Sequence, residues 1–292
     1  MFILGLAFGY HDSSAALIKD GEIIFAAQEE RYSRIKHDNS FPKQSIEKAF
    51  KFAKIDLTEI DHIVYYEKSL TKYSRILNSI TRNILNNFKK GIFEFYNETY
   101  NWIDDDKFDI KEKISSELSF PKEKISICYH HLSHASSVFY NSPFNNSSII
   151  TIDGVGEKET ITYCVGKDKN IKKLKSFHFP NSLGLFYSTI TAFLGFEVNE
   201  GEYKVMGMAA YAKPKYKDKV SKLISFNKKS FSLNLEYFNF DDTQNPPFTK
   251  KFISEFGEPR DPDSKEQSDP SNKNFLYYAE LAASFQSLLE DI

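Results

Sequence analysis

The amino-acid sequence predicts an α/β protein of two related lobes, the second of them incomplete. Three observations predict it. Short apolar runs in strand, strand, strand, helix order occur twice along the chain, as packed α/β layers require. The length of 292 residues exceeds the roughly 100–200 residues of one ordinary domain. The last stretch, Phe275–Ile292, is strongly helical and carries no glycine stop or cap, as if a domain continued past it.

Ile3–Phe8 and Ser13–Ile18 are strand-like, and Glu22–Ala27 follows an Asp20-Gly21 hairpin signal, so three antiparallel strands are expected. Phe41-Pro42 then starts a helix reaching Ile55, with apolar residues at 46, 49, 50, 52 and 53 on one face. Ile60–Tyr66 is the next strand. Ile76, Ile80, Ile84 and Phe88 recur at intervals of four, which predicts an inserted helical region over about 69–113. Ile125–Tyr129 is a strand and His130–Tyr140 a candidate helix. A loop at 141–146 closes the first lobe at 1–146, and the order begins again in 147–292. Ser148–Ile152, Thr160–Val165 and Ile171–Phe179 are strands, and Leu185–Leu194 is a helix. Gly257–Lys273, rich in Asp, Pro, Ser and Lys, is loop. On the last helix, Tyr277, Leu281, Phe285, Leu288 and Leu289 form an apolar face expected to lack the strands that would cover it.

Composition narrows the class. Lys plus Arg total 38 against 40 Asp plus Glu, so no overall field draws the chain to nucleic acid or to an anionic membrane surface. Any anion site is local. Cys128 and Cys164 make no disulfide framework or zinc spacing and are read as buried small residues of a cytoplasmic protein. The apolar start Met1–Gly9 lacks the basic segment and cleavage site of a signal peptide, and no run approaches the roughly 18 apolar residues of a membrane span.

Four segments carry chemistry. In Phe8-Gly-Tyr-His-Asp-Ser-Ser14, Gly9 allows close backbone approach, and His11, Ser13 and Ser14 offer hydrogen bonds to an anion; a polar hairpin turn fits the same residues. In His130-His-Leu-Ser-His-Ala135, His130 and His134 lie at i and i+4 and suit one divalent metal, although a hydrogen-bonded histidine cluster has the same spacing. His131 points off that face. In Ile149-Ile-Thr-Ile-Asp-Gly-Val-Gly-Glu157, a buried strand delivers Asp153 into a turn with Gly154 and Gly156, able to meet a phosphate or a metal or simply to open a hairpin. In Asn199-Glu-Gly-Glu-Tyr-Lys-Val-Met-Gly207, Lys204 suits a phosphate oxygen, and Glu202 suits a donor group or an ion pair with that lysine.

Together and in order, Gly9-Tyr-His-Asp-Ser-Ser-Ala-Ala16, Gln28-Glu-Glu-Arg-Tyr-Ser-Arg34, His130-His-Leu-Ser-His-Ala135, Asp153-Gly-Val-Gly-Glu157 and Gly201-Glu-Tyr-Lys-Val-Met-Gly207 resemble the carbamoyltransferase family of antibiotic-tailoring and nodulation-factor enzymes. The resemblance spans 1 to about 211 and the final helix. It implies an actin-like, ribonuclease H-like ATPase fold. It also implies O-carbamoyl transfer from carbamoyl phosphate, through a carbamoyl adenylate made with ATP, to the hydroxyl of a small-molecule acceptor. By the same resemblance His130 and His134 are ligands of a metal, iron, and His11 lies at the transfer site. Gly9, Ser13, Ser14, Asp153, Gly154, Gly156, Glu202 and Lys204 are expected around the nucleotide or carbamoyl group, with the His11 and Asp153 turns facing each other. Family members continue into further domains, so missing C-terminal domains or a partner chain are expected to complete the enzyme. Two other readings are a non-catalytic nucleotide- or partner-binding fragment and an actin-like small-metabolite kinase, which needs no paired histidines.

Overall fold

The computed structural model describes residues 1–242 and 245–292 and divides into two compact units, Met1–Phe144 and Asn145–Ile292. Among the described residues no helix is long and apolar enough to cross a membrane.

The first unit is built on five strands in the order β3-β2-β1-β4-β5. β1 (Phe2–Ala7), β2 (Ser14–Lys19) and β3 (Glu22–Gln28) form an antiparallel meander, turned at Asp20 and Gly21, both with positive φ. β4 (Ile60–Tyr65) and β5 (Ile125–Ile127) run parallel to β1. This order with one reversed strand is the ribonuclease H-like arrangement expected of an actin-like lobe. Parallel neighbours need crossovers. α1 (Glu30–Ser33) and α2 (Lys43–Ala53) join β3 to β4, and α3 (Ser69–Asn86), α4 (Phe88–Asp104) and α5 (Ile110–Leu118) join β4 to β5. The helical insert is therefore a crossover between adjacent strands. Leu4, Leu6, Leu17, Ile63 and Ile125 bury one side of the sheet against Ile46 and Ala49 of α2 and Ile110 and Ile114 of α5. α6 (His130–Phe139) follows β5 directly.

The second unit opens with the meander β6 (Asn146–Ile152), β7 (Glu159–Lys167) and β8 (Asn170–His178), then α7 (Leu183–Phe193). α8 (Glu202–Ala209), α9 (Lys217–Val220), the hairpin β9 (Ile224–Asn227) and β10 (Ser230–Leu233), α10 (Lys250–Phe256), α11 (Lys265–Ser268) and α12 (Lys273–Asp291) complete it. Its mixed α/β core is aromatic: Phe186 and Phe193 of α7, Phe252 and Phe256 of α10 and Phe285 of α12 are fully buried.

That core overturns the expectation that the last helix presents a bare apolar face. Leu281 and Phe285 are fully enclosed and Leu288 is 7% exposed, while Tyr277 and Leu289 pack partly buried beside them. The cover comes from helices of the same unit, since α12 packs against α7, α8 and α9 and Phe285 lies against the rings of Phe252 and Phe256. The open apolar surface is on the meander instead, where Ile150, Ile152 and Leu174 are exposed. Of the two free cysteines, Cys164 is buried as expected but Cys128 is only partly so.

Candidate functional site

The turn between β1 and β2 is held by the segment that follows β3. Gly9 N–H donates to the Asn39 carbonyl at 2.9 Å and Ser13 N–H to the Asp38 carbonyl at 2.7 Å, while Glu29 N–H donates to the Ser13 carbonyl at 2.7 Å. Gly9 needs its φ of 87°, a region open to glycine without steric cost. Glu29, only 2% exposed, accepts from Gln44 N–H at 2.9 Å and Ser45 N–H at 2.8 Å. Its carboxylate thus satisfies two donors of the first turn of α2, where a negative charge also meets the positive end of the helix. The motif around Gln28–Arg34 therefore acts as a clamp on the turn.

Inside this clamp Asp12, at φ 51°, sets its two carboxylate oxygens against two imidazoles. Oδ2 lies 2.7 Å from His11 Nδ1 and Oδ1 lies 2.9 Å from His37 Nδ1. Burial pushes the Asp12 pKa up, but the hydrogen bonds and charges of His37 and His11 outweigh it, and the carboxyl is held below its ordinary value. Asp12, Glu30 and His37 also bring donor atoms within 4.8 Å of one another. Hydrogen bonds account for that grouping, because Glu30 Oε2 accepts from His37 N–H at 3.2 Å while Asp12 is engaged by both rings. Ser14 begins β2, paired with Ala7 and Gln28. Ser13 is fully buried, so its hydroxyl faces the interior rather than the open side of the turn.

The paired histidines stand one above the other on the first two turns of α6. Nε2 of His134 lies 3.0 Å from Nε2 of His130, and His131, 2% exposed, turns inward. Nδ1 of His130 contacts Oε2 of Glu67 at 3.3 Å, and Glu67 Oε1 accepts from Lys72 Nζ at 2.8 Å. Glu67 is 4% exposed; burial raises its pKa, yet hydrogen bonding to His130 and the charge of Lys72 hold it at about 2. Lys72 Nζ also sits 4.4 Å from the ring centre of Tyr10, which lies tilted beside His11 with ring centres 4.7 Å apart. The helix is tied to the strand end by Ser133 Oγ, which donates to the Tyr66 carbonyl at 2.9 Å.

In the second unit Asp153 leaves β6 as expected. Gly154 N–H donates to Asp153 Oδ1 at 2.7 Å and Gly156 N–H to the Glu159 carbonyl at 2.9 Å, so both glycine amides are engaged within the turn. Ser182, the cap of α7, donates its hydroxyl to the Gly154 carbonyl at 2.6 Å and is within 3.2 Å of the Asp153 carbonyl. Glu202 opens α8, accepting from Asn199 N–H at 3.0 Å and Ser188 Oγ at 3.4 Å. With burial as the larger cause, its charge helps push the Tyr187 phenol up to about 12. Lys204 is exposed and rests 5.8 Å from the Tyr203 ring centre.

The structure therefore gathers Gly9, His11, Ser13 and Ser14 in one turn, His130 and His134 on one helix, Asp153, Gly154 and Gly156 in a second turn, and Glu202 and Lys204 on α8. Sequence reasoning missed Asp12, His37, Glu29 and Glu67 as participants. A sequence signal for Glu67 exists: it is the acid next to Tyr65-Tyr66 at the end of a buried strand, the usual place for chemistry on an α/β sheet.

A family model described as "Carbamoyltransferase N-terminus" matches residues 2–292. The chain belongs to this family. An uncharacterized protein of Synechocystis is 38% identical over 298 residues, covering 99% of this chain and 46% of its own length. The nodulation protein NolNO of Sinorhizobium fredii is 35% identical over 214 residues, covering 70% of this chain and 28% of its own. The chain thus spans less than half the length of these curated relatives. Component A of (R)-2-hydroxyglutaryl-CoA dehydratase from Acidaminococcus fermentans overlaps 72% of this chain and 59% of its own, at 14% identity and a TM-score of 0.36. That score is too low to bear on mechanism.

Proposed function

We propose that this chain is the N-terminal part of an O-carbamoyltransferase that uses ATP and carbamoyl phosphate, through a carbamoyl adenylate, to carbamoylate a hydroxyl of a small-molecule acceptor. The observation that carries the reading, beside the family match over 2–292, is the Asp12–His11 pair at 2.7 Å. A carboxylate on Nδ1 keeps the Nδ1–H form of the ring, turns a basic Nε2 outward and stabilises the imidazolium that proton uptake creates. His11 Nε2 takes the proton of the acceptor hydroxyl as its oxygen attacks the carbamoyl carbon. The bond from that carbon to the adenylate phosphate oxygen breaks, and AMP leaves with the electron pair.

His130 and His134 fit a divalent metal. Their two Nε2 atoms approach to 3.0 Å, as ligands of one ion must, and imidazole donors suit iron, zinc, nickel or copper; the family resemblance favours iron. When bound, such an ion supplies positive charge for phosphate or carbonyl oxygens. Gly9 and Ser14, with Ser13 behind them, shape the turn beside His11. Asp153, Gly154, Gly156, Glu202 and Lys204 are proposed to serve the nucleotide or carbamoyl group, Lys204 being exposed and able to reach an anion. Two free cysteines suit a cytoplasmic setting. C-terminal domains or a partner chain complete the enzyme in this proposal.

The test is transfer of labelled carbamoyl from carbamoyl phosphate, with ATP, by the complete gene product and its His11→Asn variant. Loss of transfer by roughly 100-fold or more, with ATP-dependent adenylate formation retained, supports the reading. Undiminished transfer by His11→Asn removes His11 from the chemistry. Phosphorylation of the acceptor without carbamoyl phosphate would show a kinase instead.

A further inference from the structure

We infer that Glu67 is a positioning residue that sets the protonation pattern of the histidine pair and so presents Nε2 of His130 to a metal ion; this rests on the metal reading of that pair. Glu67 is almost wholly buried, and a buried carboxylate persists only when its lone pairs are used. Here the users are Lys72 Nζ at 2.8 Å and His130 Nδ1 at 3.3 Å.

An ionised carboxylate accepts but cannot donate. The shared proton therefore belongs to His130 Nδ1, and in the neutral ring Nε2 then carries a lone pair. This is the form a metal needs, and a carboxylate behind a ligating imidazole is a recurrent way of fixing it. With both rings neutral, the 3.0 Å approach of the two Nε2 atoms then takes one assignment. His130 Nε2 accepts and His134 Nε2–H donates.

Metal binding at both rings consequently requires the His134 proton to move from Nε2 to Nδ1, with no change in the charge of either ring, while His130 keeps its pattern. One residue of the pair is preset and the other switches. Lys72 contributes by claiming the other carboxylate oxygen. In Glu67→Gln it would claim the single amide oxygen and turn the amide N–H₂ toward His130. The Nδ1 atom would then have to accept, and the proton would move to Nε2, where it blocks the metal.

The test uses the complete gene product. With ¹⁵N-labelled histidine at mildly alkaline pH, the metal-free protein should show His130 protonated on Nδ1 and His134 on Nε2. Adding Co²⁺ should move His134 to the Nδ1-protonated form. Glu67→Gln should convert His130 to the Nε2-protonated form and weaken Co²⁺ binding, measured by calorimetry, by roughly 10–100-fold. A wild-type His130 protonated on Nε2 overturns the inference, whatever the variant does. So does Co²⁺ affinity unchanged in Glu67→Gln where His130→Ala abolishes it. If the complete wild-type gene product binds no Co²⁺ and shows the expected His130 form, the metal reading fails while the positioning by Glu67 stands.

Discussion

Gly184 presses against Asp153: a Cβ built on Gly184 would come within 2.6 Å of the Asp153 carbonyl carbon and of Gly154 N. The contacts are backbone, so nothing flexible can yield. Alanine in the first turn of α7 gains up to about 1 kcal/mol of helix propensity, but overpacking of this kind costs about 1–3 kcal/mol. Gly184→Ala is therefore expected to destabilise the second unit and shift the amide signals of Asp153 and Gly154. Unaltered unfolding and spectra would show that the turn has room to move.

Glu29→Ala should cost about 2–4 kcal/mol, because it leaves two N–H donors at the start of α2 without their carboxylate. Denaturant unfolding at neutral pH measures this. A cost under about 0.5 kcal/mol would mean that water replaces the carboxylate at no loss.

Asp12 links stability to pH. Its pKa is lowered in the folded chain from 3.8, so its stabilising share is complete above that value and disappears as the pH falls through the lowered one. Asp12→Asn should accordingly be less stable than the wild type near neutrality, with the gap closing in acid below about pH 3.8. A gap that stays constant through that range would show that the carboxylate charge contributes nothing.

Phe285→Ala should destabilise the second unit by about 3–5 kcal/mol, the cost of emptying a filled aromatic site. The ring touches Phe252 and Phe256 and is fully buried. A cost near zero would restore the expectation that this helix is uncovered.

Much of the fold was legible in the sequence because strand and helix periods differ and the turns carry Gly, Asp and Asn. Expected strands at Ile3–Phe8, Ile60–Tyr66 and Thr160–Val165 fall within a residue or two of β1, β4 and β7. What covers an apolar face was not legible: the sequence marks Leu281 and Phe285 as a stripe, but the α10 rings that meet Phe285 come from a segment some thirty residues upstream. The histidine pair was visible through its i, i+4 spacing, since a helix puts such residues on one side. Glu67 and His130 are far apart in sequence and meet only because β4 and β5 are neighbours, which no local pattern records. The Gln28–Arg34 motif was visible as a signature, yet its physical task, clamping Ser13 and capping α2, needs the fold to be seen.

The clamp on the His11 turn also sets the smallest piece of this protein that could be moved elsewhere. Residues 8–14 alone would carry the histidine and its Asp12 partner but lose the bonds that hold the turn, since Asn39, Asp38 and Glu29 supply them and His37 supplies the second hold on Asp12. Grafting the turn onto another scaffold would require 8–53 as a block, with α2 included as the seat for Glu29. Exchange among related proteins is subject to the same condition: a chimera joined anywhere between Ser14 and Ser45 separates the turn from its frame, whereas one joined beyond Ala53 carries both together.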